Sequence, residues 1–386
     1  MSVSIGIVGA GGGFAQSFLP FFKAHPLVTR LAFADVNAER LQEAAAKHEV
    51  TETYPSLDAL LETDVDGVFI ITQPWLHAPQ AMRALRAGKH VYSAVPTGVS
   101  VDEVAQLVET VKESGRTYML GETSYYYPSA VYCRQRHARG DFGHLVHAEA
   151  EYFHDWDHGL YPIAKRRGGA DWLRYAGKPP MYYPTHSVGF VVSVTGARMT
   201  HVSCHGVVDP YTDDQIYISQ NNEYRNVFSN QTALFKMSDG SSTRINEFRR
   251  IGHPGAVRMS LYGTRASFEH HVAGASWLTK DRKATEKLDD VLASKGVTTA
   301  AGTFAGLSEV HDVARLPREF AGQASGHSGS HAFLVDDFVQ ACLTGEHPPI
   351  DVWQAARYCV PGLVAHESAV RGGELLEVPD FGERPA

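Results

Sequence analysis

The stretch VSIGIVGAGGGF, Val3 to Phe14, decides the fold of this chain. The apolar run Val3–Val8 reads as a strand that delivers the backbone into Gly9, Ala10, Gly11, Gly12, Gly13 and Phe14, with a helical run beginning near Ala15. These residues supply the first two glycines of G-x-G-x-x-G, and Phe14 stands at the third. Gly9 permits a tight strand-to-helix turn and Gly11 lets the backbone approach a pyrophosphate. The helix N-terminus adds unpaired amides and a positive dipole end. Glycines also simply make turns, so a second feature is needed, and Asp35 provides it at the end of the next apolar run, beyond a helix. Its carboxylate would accept hydrogen bonds from the adenosine ribose hydroxyls and repel a 2′-phosphate, which favours NAD over NADP. The competing role for Asp35 is a cap on the helix from about Asn37.

Outward from this turn, short apolar runs alternate with amphipathic stretches. Strands are expected at Leu31–Ala34, Gly67–Ile71, His90–Ala94 and Thr117–Leu120. Between them, Leu41, Ala44, Ala45 and His48, or Val101, Val104, Leu107, Val108 and Val111, recur at helical spacing and give each helix one apolar stripe. The fold class expected is α/β, a Rossmann doubly wound parallel sheet over residues 1–122, followed by an α+β domain over residues 123–386. That second domain is read as a large, mostly antiparallel open sheet, from aromatic-rich runs at Leu145–Phe153, Asn226–Phe235 and Arg258–Tyr262. Ala284–Ser325 reads as loops, Lys165–Arg167 as a plain solvated surface in preference to a mobile charged loop, and Ser330–Leu343 and Val352–Arg371 as helices.

Composition narrows the function. With 386 residues the chain has room for two cores and a ligand cleft. Forty-three acidic against 35 basic side chains, a net charge of -8, argue against a nucleic acid or an anionic membrane as partner and leave a small molecule. Cys133, Cys204, Cys342 and Cys359 form no C-x-x-C pair, so reduced thiols in a cytoplasmic protein are expected. No apolar stretch approaches the length of a membrane span.

Ala87, Gly88, Lys89, His90 and Val91 with Pro96 beyond, Thr72 with His77, Ala78 and Pro79, and the turn Gly140-Asp141-Phe142-Gly143 together resemble the Gfo/Idh/MocA family of nicotinamide-dependent sugar oxidoreductases. The resemblance implies that Gly12, Gly13, Phe14, Thr72, His77, Ala94 and Pro96 join Gly9, Gly11 and Asp35 along the cofactor, and that the chain forms a homo-oligomer, dimer or tetramer, through the exposed sheet face of its second domain. The family's Glu-Lys-Pro is here Ala94-Val95-Pro96. In ordinary members that lysine contacts the substrate hydroxyl and aids proton transfer, so another group must do so here.

Tyr182-Tyr183-Pro184-Thr185-His186, Glu122, and Tyr152-Phe153-His154-Asp155 resemble the NAD-dependent glycosidases of glycoside hydrolase family 109. That resemblance implies transient oxidation of a sugar hydroxyl at C3, loss of the acidified C2 proton, elimination of the glycosidic group, addition of water and return of the hydride. The alternatives are a net sugar or polyol dehydrogenase and a non-catalytic NAD-bound sensor.

His186 is expected as the base for the ring hydroxyl, since imidazole titrates near the useful range. Tyr183 lies three residues before it, and a helix starting at Pro184 would place both at its N-terminal end. Tyr152, Glu122 and Tyr183 are candidates for the second base and the acid. Trp75, His154, Asp157 and Tyr182 are expected to line the sugar pocket. Each has a plainer role: a strand tyrosine packs against its cross-strand neighbour, and a histidine at a helix start donates a structural hydrogen bond. No metal site is expected, because His154, Asp155, Asp157 and His158, and likewise His201, Cys204 and His205, lack a second spaced pair.

Overall fold

A computed structural model describes residues 2–384. It divides into two compact units, one made of the described residues through Val131 with Val291–Ala356 and the segment from Phe381, the other of Tyr132–Asp290 and Arg357–Asp380. The units interleave along the chain, whereas the sequence division at 122/123 is of consecutive segments.

In the first unit β1 (Val3–Val8), β2 (Val28–Ala34), β3 (Glu52–Tyr54), β4 (Gly67–Ile70), β5 (His90–Ser93) and β6 (Tyr118–Leu120) form one parallel sheet in the order β3-β2-β1-β4-β5-β6. This is the doubly wound order, and its direction reverses beside β1, where the Gly9–Phe14 turn leaves the strand's carboxyl end. Every residue of β1 is buried, as expected of a strand covered on both faces. The helix Ala38–His48 buries Leu41, Ala44 and Ala45, and Val101–Ser114 buries Val104, Leu107, Val108 and Val111. Asn37 caps the first of these through Arg40 N–H, and Ser100 caps the second through Glu103 N–H. Asp35 is thus not the helix cap.

Within Ala284–Ser325, expected as loops, a hairpin pairs Val297–Thr299 with Gly302–Phe304. This region also contributes Phe304, Leu307 and Phe320 to the core, with Phe320 edge-on to Phe21 at 5.1 Å.

The second unit holds β7 (Leu145–Phe153), β8 (Met199–Val208), β9 (Phe228–Met237), β10 (Ser242–Phe248), β11 (Ala256–Gly263), β12 (Ala266–His271), β13 (Gly274–Thr279) and β14 (Glu286–Lys287). Their order is β14-β13-β12-β11-β7-β10-β9-β8, with Leu376–Glu377 at the β8 edge. β7 and β10 run parallel, and every other neighbouring pair is antiparallel. The helix Thr185–Thr195 lies against β7, β10 and β11 and buries nearly its whole surface there. The other face of the sheet carries the ion pairs Arg244–Glu149 and Arg258–Glu151 across neighbouring strands, with Leu234 exposed beside them. Lys165–Arg167 is exposed, as a solvated surface is, but it is no loop: the run forms the last turn of the helix Leu160–Gly168, where its positive charges face the negative end of the helix dipole.

Candidate active site

The turn after β1 is built for close approach. Gly9 has φ +88°, and a Cβ there would meet the Ile71 carbonyl oxygen at 2.8 Å. Its N–H donates to the Ala34 carbonyl at 2.8 Å, and Gly12 N–H returns to the Gly9 carbonyl at 2.9 Å. Gly11 N–H donates to Asp35 Oδ2 at 3.0 Å, while Asp35 Oδ1 accepts from Asn37 N–H at 2.9 Å. A Cβ on Gly11 would lie 2.6 Å from Arg40 Cβ and 3.0 Å from that carboxylate oxygen. A concavity that one methyl would fill, flanked by a carboxylate at the end of β2, fits NAD: Gly9 to Gly13 would take the pyrophosphate, and Asp35, through its remaining lone pairs, the ribose hydroxyls.

Phe14, at the third glycine position, turns its ring outward, edge-on to Phe18 at 5.4 Å and His327 at 5.2 Å. The family glycine packs helix closely on strand; here an aromatic contact occupies that corner of the unit. His77, 1% exposed, has its two ring nitrogens 2.9 Å from the Pro96 carbonyl oxygen and 3.3 Å from that of Thr72, so it ties the β4 and β5 loops together. Thr72 Oγ1 donates to Gln80 Oε1 at 2.6 Å, and Ala94 N–H to the Ile70 carbonyl at 2.8 Å. Trp75 sits half-buried on the short turn Pro74–Leu76. Glu122 is fully buried in this first unit, its Oε1 accepting from Ser124 N–H at 2.8 Å to cap the turn Thr123–Tyr126.

The second unit gathers the other catalytic candidates. Pro184 precedes the helix Thr185–Thr195, which puts His186 in its first turn and Tyr183 just before it, ring centroids 5.3 Å apart. Tyr152, near the end of β7, lies 5.1 Å from the His186 ring and 6.1 Å from the Tyr183 ring. Its hydroxyl oxygen lies 2.5 Å from His154 Nδ1, in hydrogen-bond contact. Desolvation, helped by the nearby Arg249, lowers His154 to about 4, so the ring is neutral at neutral pH.

Four residues of this group escaped the sequence reading. Lys178 Nζ lies 4.5 Å from the centroid of the Tyr183 ring, and the Arg249 guanidinium lies 4.8 Å from that of Tyr152. Each phenol therefore has a cation on its face. Glu247 stands opposite Tyr152 in the parallel β7–β10 register, accepts from Ser187 Oγ at 2.5 Å and pairs with Arg249 at 3.1 Å. Burial pushes this carboxyl up to about 7 despite Arg249 and Ser187. Strand register brings Glu247 to Tyr152, and a proline-stiffened bend brings Lys178 to Tyr183, so no apolar pattern announces them.

Tyr182 faces elsewhere, edge-on to His366 at 5.2 Å and Tyr224 at 5.9 Å. Asp157 is exposed and lines, with Asp155, His158, Tyr161, Tyr211 and Arg250, a cavity of about 880 Å³ in the second unit. Among the described residues no three His, Cys, Asp or Glu side chains converge as metal ligands, and no helix is long and apolar enough to cross a membrane.

Residues 3–122 match the Gfo/Idh/MocA oxidoreductase family, NAD-binding Rossmann fold, and residues 311–384 match the glycosyl hydrolase 109 C-terminal domain. A glycosyl hydrolase family 109 protein of Saccharopolyspora erythraea is 27% identical over 98% of this chain and 83% of its own length. Among solved structures, an oxidoreductase domain protein from Kribbella flavida superimposes with a TM-score of 0.76 at 19% identity, covering 98% of this chain and 100% of that one. Scyllo-inositol dehydrogenase from Lactobacillus casei, with bound NAD(H) and scyllo-inositol, gives 0.67 at 18% identity, over 98% and 99%. The relatives and the cradle agree on NAD, and the structural likeness establishes the fold.

Proposed function

We propose, from the premise that the chain is an NAD-dependent oxidoreductase of the Gfo/Idh/MocA type with a glycosyl hydrolase 109 C-terminal domain, that it cleaves a sugar glycoside by transient oxidation at C3 and elimination. The observation that carries this reading is the packing of Tyr152, Tyr183 and His186 at ring separations of 5.1 to 6.1 Å, three groups able to hold or move protons. Net oxidation of an alcohol needs one base for the hydroxyl; elimination needs a second base for the C2 proton and an acid for the departing C1 oxygen.

Bound NAD supplies a hydride acceptor for the carbinol carbon. His186 takes the hydroxyl proton as that carbon is oxidised, and the resulting ketone makes the neighbouring C2 hydrogen acidic. Tyr152, Tyr183 and Glu122 are the candidates for the two later roles, and the Tyr152–His154 hydrogen bond suits a phenol that exchanges its proton. Trp75, His154 and Asp157 are proposed to hold the sugar, and Tyr182, packed against His366 and Tyr224, is left out of that set. The reading includes a cytoplasmic location, in keeping with four free thiols, and a homo-oligomer joined through the bare face of the nine-stranded sheet.

The test replaces Tyr183 by Phe and His186 by Ala and follows aglycone release from aryl glycosides. Losses of about a hundredfold or more in both are expected for groups that transfer protons. Unchanged turnover in both variants removes the assignment.

A further inference from the structure

We infer that Lys178 tunes Tyr183 as a proton carrier, its ammonium lying over the ring face and stabilising the phenolate. The inference rests on the reading of Tyr183 given above and deepens it. The approach of 4.5 Å is held by stiff backbone on both sides. Gly177 has no room for a Cβ, which would meet the Ile216 carbonyl oxygen at 2.5 Å and the Asn222 side chain at 2.6 Å. Pro179 and Pro180 follow, and Tyr183 N–H closes the next turn onto the Pro180 carbonyl at 3.0 Å. Cation and phenol are thus the two ends of one short segment that cannot swing apart.

The two cations of the site differ. Arg249 is committed to Glu247 at 3.1 Å and stays charged, whereas no ion pair holds Lys178 among the described residues. Arg249 and Arg167, from the end of Leu160–Gly168, push the proton off Lys178, while Glu247 and Cys359 oppose them. His186 and Tyr152 complete the surroundings of the phenol. Desolvation dominates and brings the Lys178 amine to about 7, so its charge is adjustable near neutrality. Coupling between the two groups is reciprocal: the ammonium favours the phenolate as much as the phenolate favours the ammonium. When Tyr183 acts, its phenolate oxygen forms an O–H bond to the proton it removes, the broken bond's electron pair stays on the substrate, and Lys178 keeps its three protons. Lys178 is therefore a positioning residue.

The test uses the NAD-loaded enzyme with carbon-13 at tyrosine Cζ, the Tyr183 resonance being identified by its loss in Tyr183→Phe. In Lys178→Met the phenolate-dependent rate is expected to fall about tenfold below pH 7 and to converge on that of the unaltered enzyme at alkaline pH, where the amine is neutral in any case. Lys178→Arg, whose cation persists at alkaline pH, is expected to keep the rate below pH 7 and to raise the acidity constant of Tyr183 about tenfold. A rate below pH 7 unchanged in Lys178→Met overturns the inference, as does activity lost equally at every pH. Full turnover in Tyr183→Phe overturns the reading of Tyr183 itself, whatever its titration does.

Discussion

The Tyr152 hydroxyl and His154 Nδ1 share a hydrogen bond of 2.5 Å across one intervening residue at the end of β7. An uninterrupted strand would place residues i and i+2 on one face, and here that alternation aims both side chains the same way. The imidazole is neutral, so it orients the phenol without an ion pair. Tyr152→Phe is expected to lower turnover by about a hundredfold or more while costing only about 1 kcal/mol of stability. Steady-state kinetics beside denaturant unfolding checks both, and an equal loss in each would make Tyr152 a packing residue.

Asp35, whose carboxylate is held by Gly11 and Asn37 N–H, is proposed as the residue that selects the cofactor. Removing its carboxylate deletes the hydrogen bonds to the ribose hydroxyls, each about 1.5 to 3 kcal/mol for a charged acceptor, so Asp35→Ala is expected to weaken NAD by about tenfold or more. NADP should lose far less, because the repulsion of its phosphate is removed at the same time. Fluorescence titration with both cofactors measures the ratio.

Gly11→Ala tests the cradle rather than the carboxylate. Its Cβ would come within 2.6 Å of Arg40 Cβ, so the turn must shift, at about 1 to 3 kcal/mol, and fill the pyrophosphate approach. Loss of NAD affinity with the sheet intact by circular dichroism is the expected outcome.

Three histidines make stability fall in acid. Burial, the main cause for each, holds His154 and His366 at about 4 and His331 at about 3. Their unfolded forms take up a proton from about pH 6.5 downward while the folded forms do not, so stability is present above that pH and is lost as pH falls toward the folded values. At about pH 5 each contributes a loss of about 2 kcal/mol relative to neutral pH. His331 packs against Phe18 at a ring separation of 4.0 Å. His331→Phe is therefore expected to flatten the acid slope measured by chemical unfolding at several pH values.

The sequence made the cofactor half legible because its signals are local. A strand, the glycines that follow it and an acid at the end of the next strand are enough to bring Gly9, Gly11 and Asp35 together. β7 was also readable, residue for residue, from its aromatic run. β3 was not, since Glu52-Thr53-Tyr54 carries no apolar alternation and is a strand only because β2 pairs with it. The acid–base group divides in the same way. Tyr183 and His186 are neighbours on one helix start, which spacing predicts, but Glu247 meets Tyr152 through the parallel β7–β10 register and Lys178 meets Tyr183 across a proline-stiffened bend. Long-range pairing has no signature in a local pattern.

Cleavage by transient oxidation leaves a mark that no other route leaves. Turnover of an aryl glycoside by the NAD-loaded enzyme in heavy water should place deuterium at C2 of the released sugar with no stoichiometric accumulation of NADH. Released sugar without deuterium at C2, or NADH accumulating in step with product, would contradict the account.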